Sequence, residues 1–507
     1  MEHDVLFTAV SALADAAHAF ADVDMSQPFH WRKHGEGVRL GLIGTHHELQ
    51  ELAATLAARR SQAGPSTTLV QQVLGQVHTA YHELQAALLG ITDAEFDQEP
   101  AAGEWPLRII LGHIFAAERA FFSLIISGLA QQEAGAARPF TFPDGEVERI
   151  TGSQDAFYDV IDNQPLATIR QHYDNFHQRV RTELVDLTDE QFLGPSPIWW
   201  EEEEYSLQYR LHRCEAHLRQ HLVQIEKTRL LLNHPETEAS RFVRLIFRAL
   251  ASVENAVLGA PGLGQAEQQA LATSIAERTA VLQQVVSDCR RLETAVTDND
   301  VPTITQIMAA HPALARALGQ NSLPLLMNAI YQRKTAVVDA LLAAGAEPDV
   351  FAAAALGDVS RLNTLAEAWP GYLNLFARDG FTPLQLACYF NQETAALWLI
   401  EHEADVNAVA KNKMKIAPLH ATATHGNLTI LRALLEKGAE VNAAQEGGYT
   451  AVHQAAHRNN LPMAQLLLKC GADPHQPDAN GQTALQLAQA EGNEAVTAVI
   501  LGGQNEN

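Results

Sequence analysis

Basic residues are scarce in this chain. Its 507 residues hold 35 Lys and Arg against 60 Asp and Glu, a formal net charge of −25, which argues against a phosphate backbone as the general partner and so against nucleic acid. Cysteine is scarcer still. Cys214, Cys289, Cys388 and Cys470 lie far apart with no paired spacing, an arrangement that suits a reducing compartment, the cytoplasm by default, better than a disulfide framework. A basic N-terminal lead is missing as well: the apolar stretch 5–20 contains Asp15 and follows Glu2 and Asp4, so an amphipathic helix is expected there instead of a signal peptide. No long hydrophobic run is free of charge. The most apolar span, 109–130, carries His113, Glu118 and Arg119 in its interior, which predicts a buried bundle helix of a soluble protein and no membrane crossing. Period-two alternation is also lacking, since Val, Ile and Thr fall into helical spacing among abundant Ala, Leu, Gln and Glu. The expected fold class is all-α.

A chain of this length exceeds the size of a single core, so two or three domains are expected. The last 215 or so residues repeat themselves: Thr382, Ala417, Thr450 and Thr483 recur at steps of 35, 33 and 33. The stretches they open, Thr382-Pro383-Leu384-Gln385-Leu386-Ala387 and its three successors, resemble the T-P-L-H-x-A signature of ankyrin repeats. A second landmark follows in Gly438-Ala439-Glu440-Val441-Asn442 and Gly471-Ala472-Asp473-Pro474. Weaker units around Leu323-Pro324-Leu325 and over 351–381 bring the array to about six or seven repeats from roughly residue 291. Such a stack buries each helix pair against its neighbours and leaves a concave face for a protein partner. His420 and His453 stand at the signature position, where the side chain serves the repeat's own turn. A two-residue insertion near Lys411, Lys413 and Lys415 reads as a solvated basic loop.

Upstream, turn signals at 24–37, 62–66, 100–106, 139–145, 194–197, 233–237 and 259–264 separate about eight helices. The central four, near 67–90, 106–132, 154–187 and 206–233, suit an antiparallel four-helix bundle. The reading gives an N-terminal helical extension (1–65), a bundle (66–236), a helical connector (237–290) and a repeat domain (291–507). The first and third segments are expected to be added helices that cover the bundle.

Chemistry is suggested by histidine. His217 and His221 lie one helical turn apart, and Leu211, Cys214, Leu218, His221 and Ile225 form the inward seam of their helix. His113 sits on the edge of a second seam made by Ile110, Ile114, Ala117, Phe121 and Leu124. All three could therefore meet in the core, and a one-turn His pair is a natural chelate for a divalent ion when a third ligand completes it. Spacing alone does not single this pair out. The 22 histidines also give His30 with His34, His78 with His82, and His453 with His457 at the same interval, where roughly one such pair is expected by chance.

Three stretches in 66–235 resemble the DinB-like superfamily, four-helix-bundle proteins regarded as metalloenzymes. They are Gly90-Ile91-Thr92-Asp93-Ala94-Glu95 with the loop ending Gly103-Glu104-Trp105-Pro106; the helix Leu107-Arg108-Ile109-Ile110-Leu111-Gly112-His113 that follows; and His217-Leu218-Arg219-Gln220-His221-Leu222-Val223-Gln224-Ile225, similar to an H-x-x-x-H-x-x-Q-I run. The resemblance implies metal ligands at His113, His217 and His221. It implies zinc, nickel or a similar divalent ion and, from some members, a transferase or isomerase that uses a low-molecular-weight thiol on a small-molecule substrate. Bundles of this kind often pair, so a homodimer is a further expectation. Glu118, Glu215 and Gln224 read as solvated helix residues first and as partners of the imidazoles second. The acidic run 201–204 after Trp199-Trp200 reads as a solvated helix start. Two functions stay open: a metal-dependent transferase or hydrolase with a docking array, or a non-catalytic scaffold whose repeats carry the function.

Overall fold

The computed structural model describes residues 5–31, 34–63, 67–234, 236–260 and 262–502; Glu2, Asp4, part of the turn expected at 62–66 and the side chain of His34 lie outside that description. By internal packing the chain divides into two units, 1–287 and 288–507. In the first, helices begin where the sequence supplies a cap. After α1 (Val5–His18) and α2 (Val38–Ala63), Thr68 caps α3 (Leu69–Ala87) and exchanges bonds with Gln71. The same reciprocal pair recurs at Thr92 and Glu95 before α4 (Asp93–Asp97). Pro106 precedes α5 (Leu107–Glu133), and α6 (Glu146–Thr151), α7 (Gln154–Asn163), α8 (Leu166–Leu184) and α9 (Asp189–Leu193) follow. Ser206 caps α10 (Leu207–Leu231), Thr237 caps α11 (Glu238–Val257), and α12 (Gln265–Asp298) begins in this unit and runs past its end at 287. Two short strands, His30–Trp31 and His34–Glu36, pair antiparallel. The all-α expectation stands apart from them.

One core is lined by α3, α5, α8 and α10, through residues such as Val77, Leu84, Ile114, Phe121, Ile169, Val180, Leu211 and Leu218. These four are not a self-contained bundle. Between Leu69 and Ala87 the only charged residue is Glu83, and buried positions from Val70 to Ala87 face every direction, so α3 needs cover on all sides. The missing cover is α11, which packs on α3 more extensively than α8 does and packs on α2 more extensively still. Gly75 makes the approach possible: a Cβ there would stand 3.2 Å from the Asn255 side chain, whose Nδ2 donates to the Gly75 carbonyl at 3.0 Å. The fully buried Arg278 of α12 in turn donates to Glu48 of α2 at 2.7 Å. The flanking helices thus pack on one another as well as on the central four. Helix α5 is long and apolar enough to cross a bilayer by length and composition, and 72% of its most apolar window is buried inside the protein.

The second unit holds, among the described residues, the helix Val301–Ala310 and six helix pairs, from Leu325–Tyr331 with Thr335–Ala343 to Ala484–Ala490 with Glu494–Gly502. Asparagines stitch the pairs together. Asn374, Asn407 and Asn442 each accept from a backbone N–H in the next repeat, those of Asp405, Glu440 and Asp473, at 2.7–2.8 Å. Their amides donate to the carbonyls of Glu403, Gly438 and Gly471. The signature residues act as read from sequence: His420 Nδ1 accepts from the Ala417 N–H at 3.0 Å, and its Nε2 meets the Ala443 carbonyl at 2.9 Å. His453 bridges Thr450 and Gln482 in the same way.

Candidate metal centre

Helix α5 carries His113, and α10 carries His217 and His221 on successive turns. Nε2 of His217 lies 3.1 Å from Nε2 of His113. The ring centroids are 4.9 Å apart for His113 and His217, 4.7 Å for His113 and His221, and 4.4 Å for His217 and His221. One donor nitrogen from each ring falls within 4.8 Å of the others. The structure brings the three residues together.

Their environment differs from the dry core that the seams suggested. His221 is buried, His217 half-buried and His113 exposed, so the cluster opens at the surface where α5 and α10 meet. The reason lies in the register: His113 flanks its seam and does not belong to it, and its neighbour Ile109 is 46% exposed. Trp105 covers one side of His113 edge-on at 5.7 Å, and Phe121 approaches His217 at 6.3 Å. The loop bearing Trp105 is tied to α10 by the ion pair of Glu104 with Lys227, 2.6 Å.

Gln224, expected first as a solvated residue, is a partner of the cluster. Its Oε1 lies 2.7 Å from His221 Nδ1; an amide oxygen only accepts, so Nδ1 donates and Nε2 is left with its lone pair for a ligand. Burial, then the nearby His221, His113 and Arg213 charges, pull the His217 imidazole down from 6.5 to about 4. Burial followed by His221 lowers that of His113. Both rings are therefore neutral at physiological pH, the form that binds metal. Three such nitrogens fit a divalent transition ion and suit calcium or magnesium poorly.

The remaining expectations fare differently. Glu215 pairs with Arg219 on its own helix and does not touch the cluster. Glu118 is neither solvated nor near the three rings; it is 2% exposed and accepts from the Tyr173 hydroxyl at 2.5 Å and from His177 Nδ1 at 2.8 Å. The 201–204 run is more than a solvated start, because Glu201 pairs at 2.6 Å with the fully buried Arg210 and Glu204 pairs with Arg138. The basic loop is also engaged: Lys415 pairs with Glu446 at 3.1 Å, and Lys411 sits 4.0 Å over the Phe376 ring.

A second group was missed. His78 and His82 of α3, set aside above as a chance interval, meet Glu254 of α11 in a cluster with every member buried. The signal for it was Glu254 itself, a carboxylate on the apolar stripe of Val243, Ile246, Phe247, Leu250 and Val253.

Comparison with known proteins adds two matches. The model of the DinB superfamily matches residues 76–225, and that of ankyrin repeats matches 292–445 and 419–507. A stretch of 104 residues is 36% identical to the ankyrin repeat and SAM domain-containing protein 6 of Rattus norvegicus and 35% identical to that of Mus musculus. Each match covers 20% of this chain and 12% of the relative, so the chain spans only a small part of the length of those proteins.

Proposed function

Because the chain joins a DinB-superfamily domain to an array of ankyrin repeats, we propose that it is a metal-dependent transferase or hydrolase, whose His113, His217 and His221 hold one divalent ion, zinc or nickel, and whose repeats dock a protein. The observation that carries this reading is the 3.1 Å approach of His113 Nε2 to His217 Nε2 from two separate helices, beside a His221 whose tautomer Gln224 sets. A divalent ion on three imidazoles keeps a coordination position open and lowers the pKa of a thiol or water bound there. The protein's part is to keep the rings neutral and aimed. Burial holds His217 unprotonated, Gln224 fixes His221, and the exposed edge at His113 admits a small substrate or a low-molecular-weight thiol from solvent.

For the array, Tyr389, Met414, Thr424, Tyr449 and Gln454 line a cavity of about 160 Å³. Tyr389 and Met414 are 38% and 53% exposed, which supplies apolar surface for a partner. Ankyrin repeats generally mediate protein–protein contact, and this face is where we place it. The cytoplasm is the compartment we propose, on the scattered cysteines.

The experiment is metal analysis of the full chain and of His113→Ala, His217→Ala and His221→Ala. An ion lost from all three folded variants supports the enzyme reading. Full occupancy in any of them leaves the scaffold reading, with the repeats as the working part.

A further inference from the structure

The buried cluster between α3 and α11 has a hydrogen-bond logic that runs in one direction. Glu118 accepts from the Tyr173 hydroxyl and from His177 Nδ1. A neutral His177 that donates through Nδ1 accepts through Nε2, and that atom faces His78 Nδ1 at 3.1 Å. His78 therefore carries its proton on Nδ1 and presents a lone pair at Nε2. That lone pair is in contact with Oε2 of Glu254 and stands 3.1 Å from His82 Nε2. His82 Nε2 is itself 2.7 Å from the same Glu254 oxygen. A proton on His82 Nε2 satisfies only one of these contacts. The other contact would need a second proton, on His78 Nε2, where the lone pair is.

We propose that His78 Nε2, His82 Nε2 and Glu254 Oε2 coordinate a second divalent ion of the zinc class, buried between α3 and α11. The donor set is two imidazole nitrogens and a carboxylate oxygen, which suits zinc or cobalt and not calcium. A tetrahedral ion with bonds of about 2.0 Å has ligand atoms about 3.3 Å apart. The nitrogens stand close to that, and the carboxylate oxygen would move outward to reach it. His78 has the support that a metal-bound imidazole needs, since its Nδ1–H leads through His177 to a carboxylate. His82 lacks it, for its Nδ1 is buried without a hydrogen-bond partner. Glu254 lies outside residues 76–225, the stretch matched by the DinB superfamily, so two ligands come from that stretch and the third from a flanking helix. Three protein ligands leave the fourth position to a water or hydroxide, and the ion fastens α11 to α3 beside the Gly75–Asn255 contact and beside Glu83, which pairs with Arg248 of α11 at 2.6 Å.

The test uses the full chain with His113→Ala and His217→Ala, which removes two ligands of the surface cluster and leaves α3 and α11 untouched. After zinc loading and gel filtration, elemental analysis should find about one zinc per folded chain, and adding Glu254→Gln should abolish it. Cobalt loading of the same double variant should give visible ligand-field absorption. A folded double variant without zinc and without that absorption overturns the proposal and leaves a proton-bridged cluster, as does zinc that persists after Glu254→Gln. If Glu254→Gln does not fold, the cobalt spectrum of the double variant decides alone. Glu254→Gln in the otherwise natural chain reports separately on the surface cluster, so failure of one site is distinguishable from failure of the other.

Discussion

At the scale of single residues, tautomer and protonation matter more than proximity. Gln224 accepts from His221 Nδ1, so Gln224→Ala should leave all three ligands in place yet weaken metal binding roughly 10- to 100-fold, measured by competition with a chromogenic chelator. His217 titrates in the folded chain near 4 against 6.5 when unfolded. Between those values the unfolded chain binds the extra proton, so stability present above pH 6.5 is lost as pH falls toward 4. Denaturant midpoints of metal-free protein should fall over that window, and His217→Gln should flatten the fall. The surface histidine cluster was legible in the sequence because two of its members lie one turn apart on a single helix and the third follows Trp105-Pro106 at the start of another. Glu254 was not, because it lies 172 residues from His82, and no local period fixes which face of α11 meets α3.

At the scale of elements, what the sequence hid was the partner of α3. A helix with one charged residue in nineteen announces burial on every side, but it does not say which neighbour covers it. The capping boxes at Thr68 and Thr92 are local, whereas the packing of α11 on both α2 and α3 depends on contacts across about 180 residues. The repeat helices were the most readable elements, since each is specified by its own thirty-odd residues. Their joints are readable too. Asn407→Ala removes one bond from the Glu440 N–H and one to the Gly438 carbonyl, and should cost about 1 kcal/mol, seen as a lower midpoint for the second unit in urea.

For the whole molecule, two compact units imply two unfolding transitions. Calorimetry with and without a strong chelator should shift the transition of the first unit alone, by about 4 kcal/mol for an ion present at a thousand times its Kd, and leave the repeat transition in place. Equal shifts in both would contradict the assignment of metal to the first unit.

The repeat tips carry a consequence for how such an array diversifies. Two successive tips bond both backward and forward. In one, Glu446 N–H reaches back to the Met414 carbonyl, and the adjacent Gly447 carbonyl accepts from Ala479. In the longer tip the backward bond is made by Lys411, to the Gly380 carbonyl, and the forward one by Met414. Asn412 and Lys413 are thus spliced between two fixed points of attachment without breaking either. New sequence can be grafted at that splice, and recognition retuned there, while the register of the stack is inherited unchanged.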